Sequence, residues 1–370
     1  MTKYLDIIYN RYFDLELKSV TIGGIQTYIS HLSALAERLG FKVRILQCAN
    51  VDGTRMLSPN VELRGFKLPF ESRKLPDLLY DKVETSRNGD DEYISLFATD
   101  IIIPSRRIQN SIAIQHGIFW DTEGDFRKSF LRSFLSKTIL GFGIVKRLRN
   151  VDTVVCVDNN FICWHRTQLY ERDVKMLPIM NFAPIGDKER KNTNGDVVNV
   201  VFARRFFTYR GTRLFGNVME RILSEKDNVR VTFAGTGPDE EWLKCKFENN
   251  PNVSFTQYSS EDSLEFHSKF DIAVVPTTGS EGTSLSLLEA MSAHCAVVCT
   301  NVGGMTNIVI DGYNGLMVIP EEKELYRAIK RVIEDGQLRH TLANRGYETV
   351  VNSFSVSIWE SKWTELLKSL

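Results

Sequence analysis

Two glutamates eight residues apart follow a stretch that reads as a buried strand. The run DIAVVPTT leads into SEGTSLSLLEAMSAH, which carries Glu281 and Glu289. At about 1.5 Å of rise per residue the two carboxylates would stand roughly 12 Å apart along a helix axis, so they suit different parts of one extended ligand. From spacing alone, a solvated loop residue and a helix-surface charge explain the pair equally well.

The residues between the two glutamates open a helix. Gly282, Thr283 and Ser284 precede Leu285 at its predicted start. A helix N-terminus has backbone N–H groups without intrahelical partners, and these groups bind phosphate or polarised hydroxyl oxygens. We therefore expect these four residues to form part of a ligand site.

A second cluster, FARRFFTYRGTRLF, follows another predicted strand. Arg205 and Arg210 flank a short turn closed by Gly211, so their guanidinium groups would project from the carboxyl end of a parallel strand, where doubly wound folds bind ligands. Arginine binds phosphate in bidentate geometry. The alternative is an exposed basic edge that also includes Arg204 and Arg213. Because Arg204 and Arg205 are adjacent, they must point opposite ways in a strand, and one of them is expected to face the ligand.

Glycine loops and one histidine give weaker signals. Gly23 and Gly24 precede the first predicted helix, and Gly235 lies in FAGTGPDEEW; both loops are also explained as turns. Neither has the complete GxGxxG spacing, which argues against a nicotinamide cofactor. His116 closes the predicted strand SIAIQ and is a candidate site residue. No HExxH or GxSxG motif occurs, so we expect neither a metal site nor a serine nucleophile.

Alternating strands and helices position these residues. The 370 residues suffice for two domains of about 100 to 200 residues each. Each half alternates apolar strands with amphipathic helices, which predicts two α/β domains with doubly wound parallel sheets. We expect an N-terminal domain over 1–184, a polar linker over 185–195 and a C-terminal domain over 196–350. A C-terminal helix over 351–370 can pack across either domain, and we expect it to cross back to the N-terminal one.

Charge and composition restrict the function classes. Lys plus Arg and Asp plus Glu both number 46, so no net positive field holds nucleic acid, and no nucleic-acid partner is expected. Six cysteines form no CxxC pair, which indicates neither zinc nor a disulfide framework. Acidic residues in MTKYLDIIYNRYFDLE precede any apolar stretch of signal-peptide length, so a cytoplasmic location is expected.

One basic segment indicates a further partner. Residues 126–149 contain no acidic residue and interleave apolar side chains with Arg127, Lys128, Arg132, Lys137, Lys146, Arg147 and Arg149. Such a helix is attracted to an anionic membrane surface, which would place the protein at the inner face of the membrane. A core helix with a basic outer face explains the segment equally well.

Taken together, these motifs resemble the retaining glycosyltransferases of family four, which have the GT-B fold of two facing Rossmann-like domains. The similarity is most specific between about Val198 and Val318, where VVFARRFFTYRG, VTFAGTGP, EGTSLSLLEAMS and NVGGMTNIVIDGYNGLMV occur in the family's order. In the first half IGGIQTYISHLSALAERLG, IQHG and VDTVVCVDNN match more loosely. The resemblance covers most of the chain.

The resemblance implies a nucleotide diphosphate sugar as donor, bound in the cleft between the domains, and a reaction without metal or cofactor. Arg205 matches the diphosphate-binding arginine, and Arg210 stands where lysine is usual. Glu281 matches the glutamate that holds the donor sugar, and Glu289 the one on the ribose. In the first half Gly24 matches the glycine that approaches the diphosphate, and His116 the residue beside the reacting carbon. The implied acceptor is a glycan or lipid-linked glycan.

Several positions depart from the family pattern. Arg204 replaces the usual glycine, Thr283 and Ser284 replace Phe-Gly, and Asn307 replaces a glutamate. These departures concern the identity of the donor sugar. A nucleotide-sugar epimerase of the same fold and a non-catalytic sugar-binding protein remain the alternative functions.

Overall fold

The computed structural model describes residues 2–21, 23–118, 130–167, 174–187, 196–259 and 261–370. The chain divides into two compact units. Unit 1 contains the residues up to His116, Phe130–Ile179 and Glu360–Leu370, and unit 2 contains Met180–Trp359 together with Gly117 and Ile118. Each unit has its own sheet, as the α/β pattern of the sequence predicts.

Among the described residues, the sheet of unit 1 has the strand order β3-β4-β2-β1-β5-β6-β7-β8, parallel except where β3 pairs with β4. Its inner strands are apolar on both faces, which is typical of a parallel sheet covered by helices on both sides. The strands are β1 (Lys3–Ile8), β2 (Lys42–Ala49), β3 (Gly53–Ser58), β4 (Val61–Lys67), β5 (Glu92–Phe97), β6 (Ser111–Gln115), β7 (Thr153–Cys156) and β8 (Lys175–Pro178); the helices are α1 (Gly24–Arg38), α2 (Leu75–Thr85), α3 (Phe130–Leu148) and α4 (Asn159–Thr167).

The sheet of unit 2 is parallel throughout its described strands, in the order β11-β10-β9-β12-β13-β14. Apolar side chains of both faces pack into two cores, one of them built around Phe202, Phe215 and Phe233. The strands are β9 (Val198–Ala203), β10 (Val229–Ala234), β11 (Val253–Thr256), β12 (Ile272–Val275), β13 (Ala296–Thr300) and β14 (Leu316–Val318); the helices are α5 (Thr212–Glu225), α6 (Glu240–Lys246), α7 (Ser263–His267), α8 (Leu285–Ser292), α9 (Glu322–Glu334), α10 (Gly336–Ser353) and α11 (Val356–Lys368).

The unit boundary differs from the expected one. It falls between Ile179 and Met180 rather than at 184, because the residues after Met180 pack on unit 2: the backbone N–H of Ala183 donates to Phe354, and that of Gly186 to the hydroxyl of Ser292. Of the predicted linker 185–195, residues 188–195 lie outside the described part of the chain.

The C-terminal segment forms the end of α10 and a separate helix, α11, rather than one helix over 351–370. From Glu360 onward α11 belongs to unit 1. There the indole N–H of Trp363 donates to the hydroxyl of Tyr28 over 2.7 Å, and Trp363 is fully buried. Trp363 therefore contributes to the core of unit 1, whereas Phe354 and Trp359 belong to unit 2.

Candidate functional site

The strand order of unit 2 reverses between β9 and β12. Successive strands run from β9 through β10 to β11 in one direction, and from β12 through β13 to β14 in the other. The carboxyl ends of β9 and β12 therefore flank the topological switch point, where doubly wound sheets bind ligands. Both charged motifs of the second half follow these two strands.

Two arginines converge on one carboxylate at this switch point. Arg204 directly follows β9, and its guanidinium donates hydrogen bonds to Glu281 Oε2 and to the hydroxyl of Thr277. Arg210 donates to the same Oε2. Thr277, which follows β12, donates to that oxygen over 3.1 Å. We call Arg204, Arg210, Thr277 and Glu281 the arginine–glutamate cluster.

The cluster is largely buried and carries surplus positive charge. The side chains of Arg204 and Glu281 are 5% and 10% exposed, and that of Arg210 is 19% exposed. Burial alone raises the pKa of a carboxyl, but the charges and hydrogen bonds of the two arginines outweigh it and lower the pKa of Glu281 to about 2. Glu281 is therefore ionised at neutral pH. Two guanidinium groups against one carboxylate leave one positive charge uncompensated, which favours an anionic ligand.

Backbone contacts hold the loops that carry the cluster. The N–H groups of Thr278 and Gly279 donate to the carbonyl of Tyr209, which joins the loop after β12 to the turn with Arg210. That turn ends at Gly211, with φ +81°, where a Cβ atom would lie 1.9 Å from the carbonyl oxygen of Pro276. Only glycine permits this approach.

Arg205, the expected diphosphate ligand, is not part of the cluster. Its side chain is exposed, and its guanidinium lies 5.5 Å from the ring centre of Phe207. The prediction that one of the adjacent arginines faces the site fits the structure, and the inward residue is Arg204. The sequence did not show which of the two arginines points inward, because β9 is buried on both faces, and it did not predict Thr277 as the partner of Arg204.

Glu289 lies on α8, and burial raises the pKa of its carboxyl to about 7. Burial and the negative charge of Glu289 both raise the pKa of Tyr258, whereas the positive charge of Arg204 lowers that pKa. The Tyr258 ring stacks on Phe266 with centroids 4.2 Å apart. Tyr258 is thus close enough to Glu289 and to Arg204 of the cluster to be affected by both charges. The sequence analysis did not single out Tyr258.

The predicted helix N-terminus at 282–285 forms as expected. The helix α8 begins at Leu285, with Ser284 at the N-cap and no side-chain cap hydrogen bond. Thr283 and Ser284 are both 2% exposed. The amide of Asn181 donates to the carbonyl of Thr283 over 2.6 Å, and Gly304 N–H donates to the carbonyl of Glu281. The loop is thus held from two sides.

Gly235 has a structural explanation. Its φ is +151°, and a Cβ there would lie 2.1 Å from the carbonyl oxygen of Arg204. The glycine permits the end of β10 to approach the end of β9, and so supports the backbone that carries the inward arginine. This close approach accounts for the residue type without any ligand contact.

In unit 1, His116 follows β6 and is a neutral imidazole. Burial lowers the pKa of His116 to about 4, against the opposing effect of the Ala98 carbonyl. Its Nε2 lies 2.9 Å from that carbonyl oxygen and must donate to it, so Nδ1 is left as an acceptor.

Gly23 precedes α1 with φ 168°, which any residue adopts, so this glycine is not required by backbone conformation.

The basic segment 126–149 is described in part. Residues 126–129 lie outside the described residues, and the remainder belongs to α3 and the turn after it. Buried Ile144, Val145 and Leu148 face the unit 1 core, while Ile139, Leu140 and Phe142 are 69%, 48% and 56% exposed. The outer surface of α3 thus combines exposed apolar side chains with the exposed Lys146.

Two features of the described residues concern membranes and metals. Across those residues, every helix is either too short or too polar to span a lipid bilayer. In the same part of the chain, no group of three or more His, Cys, Asp or Glu side chains is arranged to hold a metal ion. The expectation of a metal-free reaction stays a prediction.

Part of unit 2 is similar to a known sequence family. Residues 186–349 match the family model of the glycosyl transferases group 1. The lipopolysaccharide core biosynthesis glycosyltransferase LpsE of Rhizobium meliloti is 28% identical over 232 residues, which are 60% of this chain and 65% of LpsE. The match therefore spans just under two thirds of that relative.

Solved structures share the fold of the whole chain. Sucrose-phosphate synthase from Thermosynechococcus elongatus superposes with a TM-score of 0.78 over 99% of this chain and 98% of its own, at 17% identity. Anabaena HepE, solved in complex with UDP and glucose, gives a TM-score of 0.68 over 99% of both chains, at 16% identity. At these identities the likeness shows the fold alone, and it confirms the predicted GT-B fold class.

Proposed function

With the glycosyl transferases group 1 match of residues 186–349 as its premise, we propose that this protein is a retaining glycosyltransferase of family four. It transfers a sugar, of the hexosyl type, from a nucleotide diphosphate sugar to a glycan or lipid-linked glycan, without metal or cofactor. The observation that carries the proposal is the arginine–glutamate cluster at the switch point of unit 2.

The cluster suits the departure of a diphosphate. Negative charge grows on that leaving group in the transition state, and the surplus positive charge at Arg210, the more exposed of the two buried arginines, stabilises it without reorganisation. Arg205 is a second diphosphate contact in this proposal, since its exposed guanidinium packs on Phe207 and not on Glu281. In this proposal the backbone N–H groups at the start of α8, from Gly282 to Leu285, complete the anion site.

Glu281 and Glu289 take different parts of the donor. The three hydrogen bonds to the Glu281 carboxylate fall on Oε2, so Oε1 is the oxygen that would accept a sugar hydroxyl. Glu289 accepts the ribose hydroxyls in this proposal, and its carboxylate form, which has only acceptor oxygens, is the form that binds two hydroxyl donors most strongly. The backbone at Gly235 borders the same donor site.

Unit 1 contributes two groups to the proposed site: the hydrogen-bond-accepting Nδ1 of the neutral His116 and the N-terminus of α1. In the proposal His116 contacts the donor sugar through Nδ1, because Nε2 donates to Ala98. Gly23 and Gly24 at the beginning of α1 approach the diphosphate with backbone N–H groups. Both roles are what the family resemblance implies.

The relatives and α3 support a proposal for the acceptor class. LpsE acts in lipopolysaccharide core biosynthesis by name, and we propose a surface-glycan acceptor for this chain as well. The exposed Ile139, Leu140 and Phe142 beside Lys146 suit an anionic membrane surface, where lipid-linked acceptors reside. We therefore place the protein in the cytoplasm, peripherally on the inner face of the membrane.

A thermal-shift panel tests the proposal. UDP, GDP, dTDP and their sugars are added to the full chain, and a ligand that binds the native state raises the unfolding temperature by mass action. We expect one nucleotide series to give a clear upward shift that is reduced in Glu289→Gln. If no nucleotide or nucleotide sugar shifts the transition, the proposed function is wrong.

A further inference from the structure

Arg204 is a chain-specific feature inside the proposed donor site. By the family resemblance this position holds glycine, whereas here it holds an arginine whose side chain is 5% exposed. Its guanidinium joins Thr277 and Glu281, so it links the carboxyl ends of β9 and β12. The desolvation of a buried arginine must be offset by close partners, and for Arg204 these are the Glu281 carboxylate and the Thr277 hydroxyl.

The backbone at Arg204 is tightly fixed. Its N–H donates to the carbonyl of Ala234 over 3.0 Å, and its own carbonyl lies against Gly235. Thr277 is also fixed, because the hydroxyl of Thr300 donates to its carbonyl over 2.5 Å. Arg204 therefore reaches Glu281 from a rigid platform, and the orientation of the carboxylate follows from that platform.

We infer that Arg204 is a positioning residue, which holds Glu281 by Oε2 so that Oε1 is presented to a hydroxyl group of the donor sugar. This inference rests on the proposed function. Arg204 acts on the sugar through Glu281, and it does not itself contact the diphosphate. Its low exposure compared with Arg210 supports this division, since the ligand can reach Arg210 more readily.

The division of roles gives a binding test. The probes are the nucleotide sugar with the largest thermal shift and its nucleoside diphosphate, measured by calorimetry on the full chain. In Arg204→Met we expect the Kd of the nucleotide sugar to rise about tenfold, as for one lost charge-assisted hydrogen bond, with the Kd of the diphosphate nearly unchanged. Arg204→Lys keeps the charge and should recover part of the affinity. Arg230→Met removes an exposed arginine of β10 and serves as the matched control.

A pH profile supplies the second readout. The two arginines lower the pKa of Glu281, so removal of Arg204 raises it. We expect kcat/KM for the donor to fall about 100-fold in Arg204→Met, as for a misplaced catalytic contact, and to decline further as the pH is lowered below 6. In Arg204→Lys and Arg230→Met, kcat/KM for the donor should depend on pH below 6 as it does in the wild-type protein.

Three results have distinct meanings. Equal weakening of diphosphate and nucleotide sugar in Arg204→Met would show that Arg204 contacts the diphosphate, and would overturn the inference. Unchanged binding and an unchanged pH profile would overturn it as well. If the wild-type chain binds no nucleotide and transfers no sugar, the proposed function is wrong. This outcome is measured on the wild-type chain alone, so it is distinct from any result with the Arg204 variants. Thermal unfolding of each variant separates loss of the fold from loss of positioning.

Discussion

Arg204 and Glu281 form a buried ion pair across 77 positions of the chain, between the first residue after β9 and the loop after β12. The pair exists because β9 and β12 are neighbours in a parallel sheet whose strand order reverses between them. Arg210 joins it from the turn before α5. Sheet topology, rather than sequence proximity, therefore assembles the proposed donor site.

Loss of the Glu281 charge should impair transfer more than nucleotide binding. In Glu281→Gln the two arginines lose their shared carboxylate, and the sugar loses its anionic acceptor. We expect transfer to fall by about 100-fold or more, as for removal of a preorganised electrostatic contact, with nucleoside diphosphate affinity maintained or increased. Steady-state kinetics and calorimetry measure the two effects. Wild-type transfer rates in Glu281→Gln would contradict the assigned role.

Nucleotide affinity should depend on pH through Glu289. Burial raises the pKa of its carboxyl to about 7, so the group is largely protonated at pH 6 and ionised at pH 8. If the carboxylate accepts the ribose hydroxyls, affinity rises as the pH increases through 7. Calorimetric titrations between pH 5.5 and 8.5 follow the change, and Glu289→Gln should flatten it. A pH dependence that persists in Glu289→Gln belongs to another group.

The same pKa shift affects folding in the opposite direction. A carboxyl whose pKa is raised in the folded state binds protons more tightly there than in the unfolded chain. Between its ordinary pKa of 4.5 and about 7, the ligand-free protein therefore loses stability at this site as the pH rises. Glu289→Gln should remove that contribution, which urea unfolding at pH 5 and pH 8 can measure.

The turn that carries Arg210 should not tolerate a side chain at Gly211. Gly211→Ala would place Cβ against the Pro276 carbonyl at a φ of +81°. We expect a loss of roughly 1 to 3 kcal/mol in stability, together with reduced transfer, because the turn must shift. Gly89→Ala is the matched control, since nothing lies within 4 Å of its Cβ position. Equal behaviour of the two variants in thermal unfolding and transfer would refute the steric argument.

Membrane binding should depend on the exposed apolar residues of α3. The double variant Ile139→Ser/Phe142→Ser removes side chains that are 69% and 56% exposed. We expect its partitioning into anionic phosphatidylglycerol vesicles to fall about tenfold or more, because each buried apolar side chain contributes to binding. Ile310→Ser, at a site 64% exposed in unit 2, is the control. Cosedimentation that is the same for all three proteins would count against the membrane proposal.

The fold was largely predictable because its signals are local. Apolar runs such as AVVCT became fully buried strands, and Tyr28, Ile29 and Leu32 lie on the buried face of α1 as their spacing predicts. The edge strand β3 is harder to predict, because its residues are exposed and carry little apolar alternation.

The site was predictable only in part. Glu281, Arg210 and the α8 N-terminus were found from strand ends and helix starts, which sequence displays. The sequence could not predict which of Arg204 and Arg205 points into the site, because β9 is buried on both faces. The inward arginine is held by Thr277, which lies 73 positions away. The domain boundary likewise depended on contacts of Ala183 and Gly186 that no local pattern reveals.

The anomeric configuration of the reaction product tests the central claim most directly. The full chain is incubated with the donor selected by thermal shift and a glycan acceptor, and the new linkage is read by proton NMR. The account predicts transfer with the configuration of the donor retained, and loss of that product in Glu281→Gln. An inverted linkage, or undiminished product from Glu281→Gln, would contradict it.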